Sequence, residues 1–316
     1  TVVGWKINIE DSEGNVVSTP VLSFTYRNPY EGMTEYMSFP ITTIPSENAV
    51  YKIVIDGATW EVYNASGGLE ATGTSENFWN IVNSTGADIR VYNDSWKELY
   101  FFIEGWDYYK HKATIWVNLT AGSSELNIMY GIPNATPSTY NDPSKVFMFF
   151  KDFEDGTTQG LTVTAGQFNA VQVANDLDPT SQYVLEQQDT ANMNRRAYWT
   201  AGINGSFVIE WQFKHAGSGT GAISVALKSG DAGYRFSLEE DGGRAIWKIN
   251  SWSNAELSVL ASTTGTLSTA WLNAKIIYNN GQMTLDIGGI TVSTTDTSVN
   301  PPFDIGVWCG CLLYTS

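Results

Sequence analysis

The sequence predicts an all-β protein of two antiparallel β-sandwich domains, the second a larger jelly roll. Three observations predict it. Apolar and polar residues alternate with period two along segment after segment, Gly, Asn and Ser clusters break these segments at short intervals, and no apolar stripe of helical period runs for ten residues or more. Period-two alternation marks strands with one face buried and the other wet. Short strands punctuated by glycine-rich turns belong to sandwiches, not to parallel α/β sheets.

In chain order, Val3, Trp5, Ile7 and Ile9 alternate within Thr1–Glu10. That strand either pairs inside its own domain or is donated to a neighbouring copy. Strands follow at Tyr51–Ile55, Ala87–Tyr92, Glu98–Glu104, Lys112–Asn118 and Leu126–Tyr130, while Glu76–Val82 fits a helical turn or two. Gly131–Ser144 contains Pro133, Pro137 and Pro143 without apolar rhythm, as an inter-domain connection would. The domains are therefore expected at 1–145, a compact Ig-like sandwich, and 146–316. In the second, Phe207, Ile209, Trp211 and Phe213 share one face, as do Ile223, Val225 and Leu227, and Tyr234, Phe236 and Leu238. Trp271–Tyr278 and Gln282–Ile287 flank Asn279-Asn280-Gly281, a hairpin turn in which Asn or Gly takes positive φ.

Composition bounds the function. The 316 residues correspond to two domains of ordinary size, and 42% hydrophobic with 13% aromatic residues suffices for two cores. Charged residues are 16%, against about 25% in an average protein. Asp and Glu outnumber Lys and Arg 33 to 17, for a net charge of −16. Such a surface repels phosphate backbones, which argues against nucleic-acid partners. No stretch approaches the ~18 apolar residues of a membrane span, so no membrane insertion is expected from this segment. The chain opens at Thr1, read as a mature terminus or a fragment edge.

Cys309 and Cys311 make neither a disulfide scaffold nor a zinc site. The last six residues, Cys311-Leu312-Leu313-Tyr314-Thr315-Ser316, are what TGT CTC TTA TAC ACA TCT encodes. That string resembles the mosaic end of a transposase-based sequencing adapter, as expected of a gene read from a metagenomic contig. The natural sequence is expected to depart from this one after about Gly310, and the tail is given no functional reading.

Four ordered segments then carry a family resemblance: Gly86-Ala87-Asp88-Ile89-Arg90-Val91, Leu99 to Trp106, Ala113-Thr114-Ile115-Trp116-Val117 and Leu126 to Gly131. Residues 35–148 resemble a domain of unknown function, number two-three-four-one, from archaeal and bacterial surface proteins. The second half resembles a concanavalin A-like, laminin-G-type jelly roll. Phe149 to Gly156, Gly205–Phe213, Gly233-Tyr234-Arg235-Phe236, Trp271–Gly281 and Pro302 to Gly306 carry that likeness. Such domains close with one more strand, expected to be missing here, which would leave a sheet gap open. The two resemblances imply an extracellular or cell-surface setting and glycan-binding or adhesive work, not a reaction.

Candidate sites follow. Two histidines, His111 and His215, lie in no nucleophile-elbow motif and read as solvated. Glycoside hydrolysis needs two carboxyls across a cleft, whereas adjacent carboxylates in Glu239-Glu240-Asp241-Gly242-Gly243 point to opposite faces and read as a turn. Asp152, Glu154 and Asp155 open the jelly roll and Asp304 lies in a late strand. Hard cations prefer several oxygen ligands, so Asp152, Glu154 and Asp304 are the expected calcium ligands, with a solvated acidic turn as the alternative. Aromatic rings stack on the apolar faces of sugars. Tyr198, Trp199, Trp247 and Trp252 lie near turns, and Trp252 ranks first because Asn250, Ser251, Ser253 and Asn254 surround it. Asn-x-Ser/Thr sequons at Asn64, Asn83, Asn93, Asn118, Asn134 and Asn204 are candidate glycosylation sites. The functional readings are a non-catalytic glycan-binding or adhesive surface protein, a subunit of an extracellular filament or sheath joined by strand donation to copies of itself, and a carbohydrate-active enzyme.

Overall fold

A computed structural model describes residues 2–5, 8–10, 16–18, 22–25, 35–173, 181–187, 194–215, 222–309 and 313–315. Four short strands come first: β1 (Val2–Trp5), β2 (Asn8–Glu10), β3 (Val16–Ser18) and β4 (Leu22–Thr25). β1 pairs with β4 and β2 with β3, so the strand read as a possible donor pairs within its own chain.

The next set is β5 (Glu35–Pro40), β6 (Ala49–Asp56), β7 (Thr59–Tyr63), β8 (Leu69–Thr74), the single-turn α1 (Phe78–Ile81), β9 (Arg90–Asn93), β10 (Phe101–Asp107), β11 (Lys112–Leu119) and β12 (Glu125–Tyr130). They form a five-stranded sheet in the order β10-β11-β6-β7-β8 and a three-stranded sheet β5-β12-β9. Alternation does the packing. Tyr51, Ile53 and Ile55 of β6 and Ala113, Ile115 and Val117 of β11 share one core with Phe39 and Ile128 of the facing sheet. Lys52 and Trp116, paired across β6 and β11, take the opposite face, with the ammonium 4.7 Å from the indole centre.

The proline-bearing segment after β12 does not hang free. Phe101 N–H donates to Tyr140 O, Asp142 N–H donates to Phe101 O, and Ile103 N–H donates to Asn141 Oδ1, so the chain lies along β10. Asp142 then caps α2 (Pro143–Val146), its carboxylate accepting from Ser144 N–H with Pro143 inside the first turn. Phe147 and Phe150 stack on each other and meet Phe102 and Trp116 on the outer face of the five-stranded sheet. Phe149 and Phe153 meet Trp199 in the second sandwich.

That sandwich is built from β13 (Thr162–Ala165), β14 (Phe168–Gln172), β15 (Tyr183–Gln187), β16 (Arg195–Ile203), β17 (Phe207–His215), β18 (Ile223–Ser229), β19 (Ala232–Leu238), β20 (Arg244–Ser251), β21 (Glu256–Thr263), β22 (Trp271–Asn279), β23 (Gln282–Ile287), β24 (Ile290–Thr295), β25 (Phe303–Cys309) and β26 (Leu313–Thr315). Two seven-stranded antiparallel sheets result, β13-β16-β25-β18-β19-β20-β21 and β14-β15-β26-β17-β22-β23-β24. Phe213, Val225, Phe236, Ile276, Leu285 and Phe303 belong to the core they share. Asn280 and Gly281 both take positive φ, 48° and 89°, making the predicted turn between β22 and β23.

One expectation is corrected. The sheet gap expected from a missing closing strand is occupied by β26, which pairs with β15 on one side and β17 on the other. Backbone pairing is tolerant of sequence, so an extended segment following β25 satisfies the open N–H and C=O rows of both neighbours.

Candidate functional site

Parity decides what the β13-to-β21 sheet presents outward. Ala197, Trp199, Ile305 and Val307 belong to the shared core, so Tyr198 and Arg196 of β16 and Asp304, Gly306 and Trp308 of β25 take the other face. Cross-strand partners extend the rule to Ser224, Ala226 and Lys228 of β18, Arg235 of β19 and Trp247 of β20. The tight turn after β20 brings Trp252 over the same face, where it forms a small cluster with Ala226, Ile249 and Trp308.

The result is a ladder of rings and cations. Tyr198 meets Trp252 edge-on at 6.2 Å, and Trp252 meets Trp308 edge-on at 5.4 Å. The Arg196 guanidinium lies 5.2 Å from the Trp308 ring centre. Arg235 stands between Trp308 and Trp247, at 5.6 and 5.8 Å. Lys228 Nζ sits 4.3 Å from the Tyr198 centre. Cation–π contacts of this kind gain strength as water is excluded.

Hydrogen bonds fix the ladder. Arg196 Nη1 donates to Trp252 O, and Nη2 to Ser253 O at 3.3 Å. Arg235 Nε donates to Ser224 Oγ at 2.6 Å, and its Nη2 lies 3.7 Å from Glu239 Oε1. That same carboxylate accepts from Trp247 Nε1 at 2.9 Å. Asp231 accepts from Ser253 Oγ, Ser253 N–H and Ser251 Oγ, which pins the Trp252 turn and holds its own pKa below the usual carboxylate range. Burial pulls the pKa of Arg235 and Arg196 down, with Glu239 and Asp231 respectively opposing the shift. Gly306 makes the close approach possible. A Cβ there would stand 2.7 Å from Trp252 Cη2.

Three of the four aromatic candidates therefore meet on one face, but not in the expected roles. Trp252, ranked first, is 3% exposed and is a support rather than a platform. Its chain neighbours are polar, yet Trp308 and Tyr198 enclose the ring from other strands. Trp199 is 5% exposed and points the opposite way, into the shared core beside Phe149 and Phe153. Tyr198 and Trp247 are half-buried and present ring surface. Trp308 was not among the candidates, although the alternation Asp304, Gly306, Trp308 marks it.

The expected calcium ligands are not brought together. Asp304 Oδ1 accepts from Ala201 N–H, Asp152 Oδ1 from Gln159 Nε2, and Glu154 Oε1 from Gln182 and Tyr183 N–H. Among the described residues no three His, Cys, Asp or Glu side chains form a metal-holding group.

The sequons differ in setting. Asn93 is 6% exposed, its Nδ2 donating to Thr120 Oγ1 and its Oδ1 accepting from Ser95 and Lys97 N–H, so it forms the turn. Asn64 Nδ2 donates to Glu70 and Asn118 Nδ2 to Lys145 O. Asn83 is half-buried, whereas Asn134 and Asn204 are exposed. The Glu239–Gly243 segment is a turn closed by Glu239 N–H to Gly243 O and Gly242 N–H to Glu239 O. His111 is exposed and stacked on Trp79, and the side chain of His215 lies outside the described residues.

Residues 85–164 match the family model described as "Domain of unknown function (DUF2341)", less than half of the chain. The match begins after β8, later than the resemblance read from sequence, and runs on through Phe147, Phe150 and α2 into β13. No curated protein matches the chain. Among solved structures, carbohydrate binding module CBM66 from Bacillus subtilis is similar at 14% identity and TM-score 0.39, covering 51% of this chain and 94% of that one. Sheep galectin-11, in complex with glycerol, is similar at 7% identity and TM-score 0.31, covering 38% and 92%. An alginate lyase from Alteromonas sp. 272 is similar at 11% identity and TM-score 0.23, covering 50% and 76%.

Proposed function

We propose that the chain is a non-catalytic, glycan-binding part of an extracellular or cell-surface protein, and that the outer face of the β13-to-β21 sheet binds the sugar. The observation that supports it is the ladder from Tyr198 to Trp247. It ends in two half-exposed rings and is braced from below by Trp252, Trp308 and Arg235. Rings held this way present an apolar platform with little rotamer freedom left to freeze. Arg196, Lys228 and Arg235 are balanced by Asp231, Glu239 and Asp304, so the face suits a neutral saccharide.

The test is a glycan array probed with the full chain and with Tyr198→Ala and Trp247→Ala. Each variant is expected to weaken the bound glycans at least about tenfold, roughly 1.4 kcal/mol. Array signals indifferent to both substitutions, or reducing sugar released from a polysaccharide panel, would refute the reading.

A further inference from the structure

We propose that the end of the first sandwich formed by α1 and the turn from Asp107 to Lys112 is a second saccharide site, taking the apolar face of a neutral pyranose on Tyr109. Tyr109 is 93% exposed at the tip of that turn. It is not a lone ring on a loose loop. Tyr108 meets it edge-on at 5.9 Å, Tyr108 meets Trp79 at 6.2 Å, and His111 lies flat on Trp79 at 5.4 Å with 8° between planes. Trp79 is itself core, its Nε1 donating to Gly57 O at 2.8 Å. The backbone is equally fixed. Lys110 N–H donates to Asp107 Oδ1 at 2.9 Å, the Lys110 ammonium pairs with Asp107 at 3.1 Å, and Gly57 N–H donates to His111 O at 2.8 Å. His111 takes φ 57°, which closes the turn.

An exposed aromatic ring on a turn whose backbone is already fixed leaves its apolar face open for stacking, with only the two side-chain torsions of the tyrosine left to order on binding. The groups that flank it are the Asp107 carboxylate, the Lys110 ammonium, the His111 imidazole and the Tyr108 phenol, which offer donors and acceptors of the kind sugar hydroxyls meet. A protein partner fits less well. The turn exposes no aliphatic side chain, and one ring is far short of the roughly 1,000 Å² a stable protein interface buries.

This site stands apart from the outer-face ladder, and its test separates the two. The full chain, Tyr109→Ala, Tyr109→Phe and the double variant Tyr198→Ala/Trp247→Ala are compared on one array of neutral and acidic oligosaccharides. Spots kept by the double variant should fall at least tenfold with Tyr109→Ala and stay within threefold with Tyr109→Phe. Tyr109→Ala should leave the melting temperature unchanged. The proposal is overturned by an array on which Tyr109→Ala matches the parent, by a double variant that erases every signal, or by Tyr109-dependent binding seen only with immobilised proteins.

Discussion

Trp252 and Trp247 share a sheet face, yet substitution should separate them. Trp252→Ala removes a ring enclosed by Trp308, Tyr198 and Ala226, and is expected to cost about 3–5 kcal/mol in urea denaturation. Trp247→Ala truncates a half-buried ring and should cost under about 1.5 kcal/mol while lowering glycan affinity. Equal destabilisation by both would contradict the support-and-platform division. Tyr234 makes a second residue-level prediction. Its hydroxyl donates to Asp296 O at 2.9 Å and accepts from Val299 N–H at 3.1 Å, and burial pushes its pKa up to about 12. A folded pKa raised above the unfolded value of 10.0 gives stability that is complete below pH 10 and lost as pH rises toward 12. Tyr234→Phe should therefore be less stable at neutral pH but show a shallower alkaline loss. Burial also raises Tyr51, Tyr130 and Tyr278, so some alkaline slope persists.

At the scale of elements, the segment from α2 to Phe153 is the joint of the molecule. Phe147 and Phe150 dock on Phe102 and Trp116, while Phe149 and Phe153 dock on Trp199. Phe147→Ala combined with Phe150→Ala should speed limited proteolysis between Lys145 and Asp152 several-fold, leaving the strands of either sandwich protected. Unchanged cleavage would show that the rings do not hold the segment. Much of the fold was legible because period-two alternation is local: the inward sets of β17, β18 and β19 read directly from the chain. The site was less legible. Polar neighbours made Trp252 look exposed, but its burial is set by Tyr198 and Trp308, more than fifty residues away along the chain. Adjacent strand residues face opposite sides, so Tyr198 and Trp199 could never share a platform. The same rule marked Glu239 and Glu240, and Trp308 lay one step beyond Gly306 on the same parity.

At the scale of the whole molecule, a net charge of −16 coexists with a proposed binding face whose charges cancel. Glycan binding should accordingly change less than about twofold between 50 and 500 mM salt, because no counterions are released. Titration calorimetry at the two ionic strengths checks this, and a steep salt dependence would indicate a polyanionic ligand. Among the described residues no helix is long and apolar enough to cross a membrane. The alternation of ring contacts along the joint also has a genetic corollary. Phe147 and Phe150 belong to one body, Phe149 and Phe153 to the other, so the two sets interleave within seven residues. An in-frame codon gained after Met148 would move Phe149 into the place of Phe150 and carry Phe150 and Phe153 to positions that anchor neither body. The stretch should accept replacement of its side chains far more readily than any change in its length.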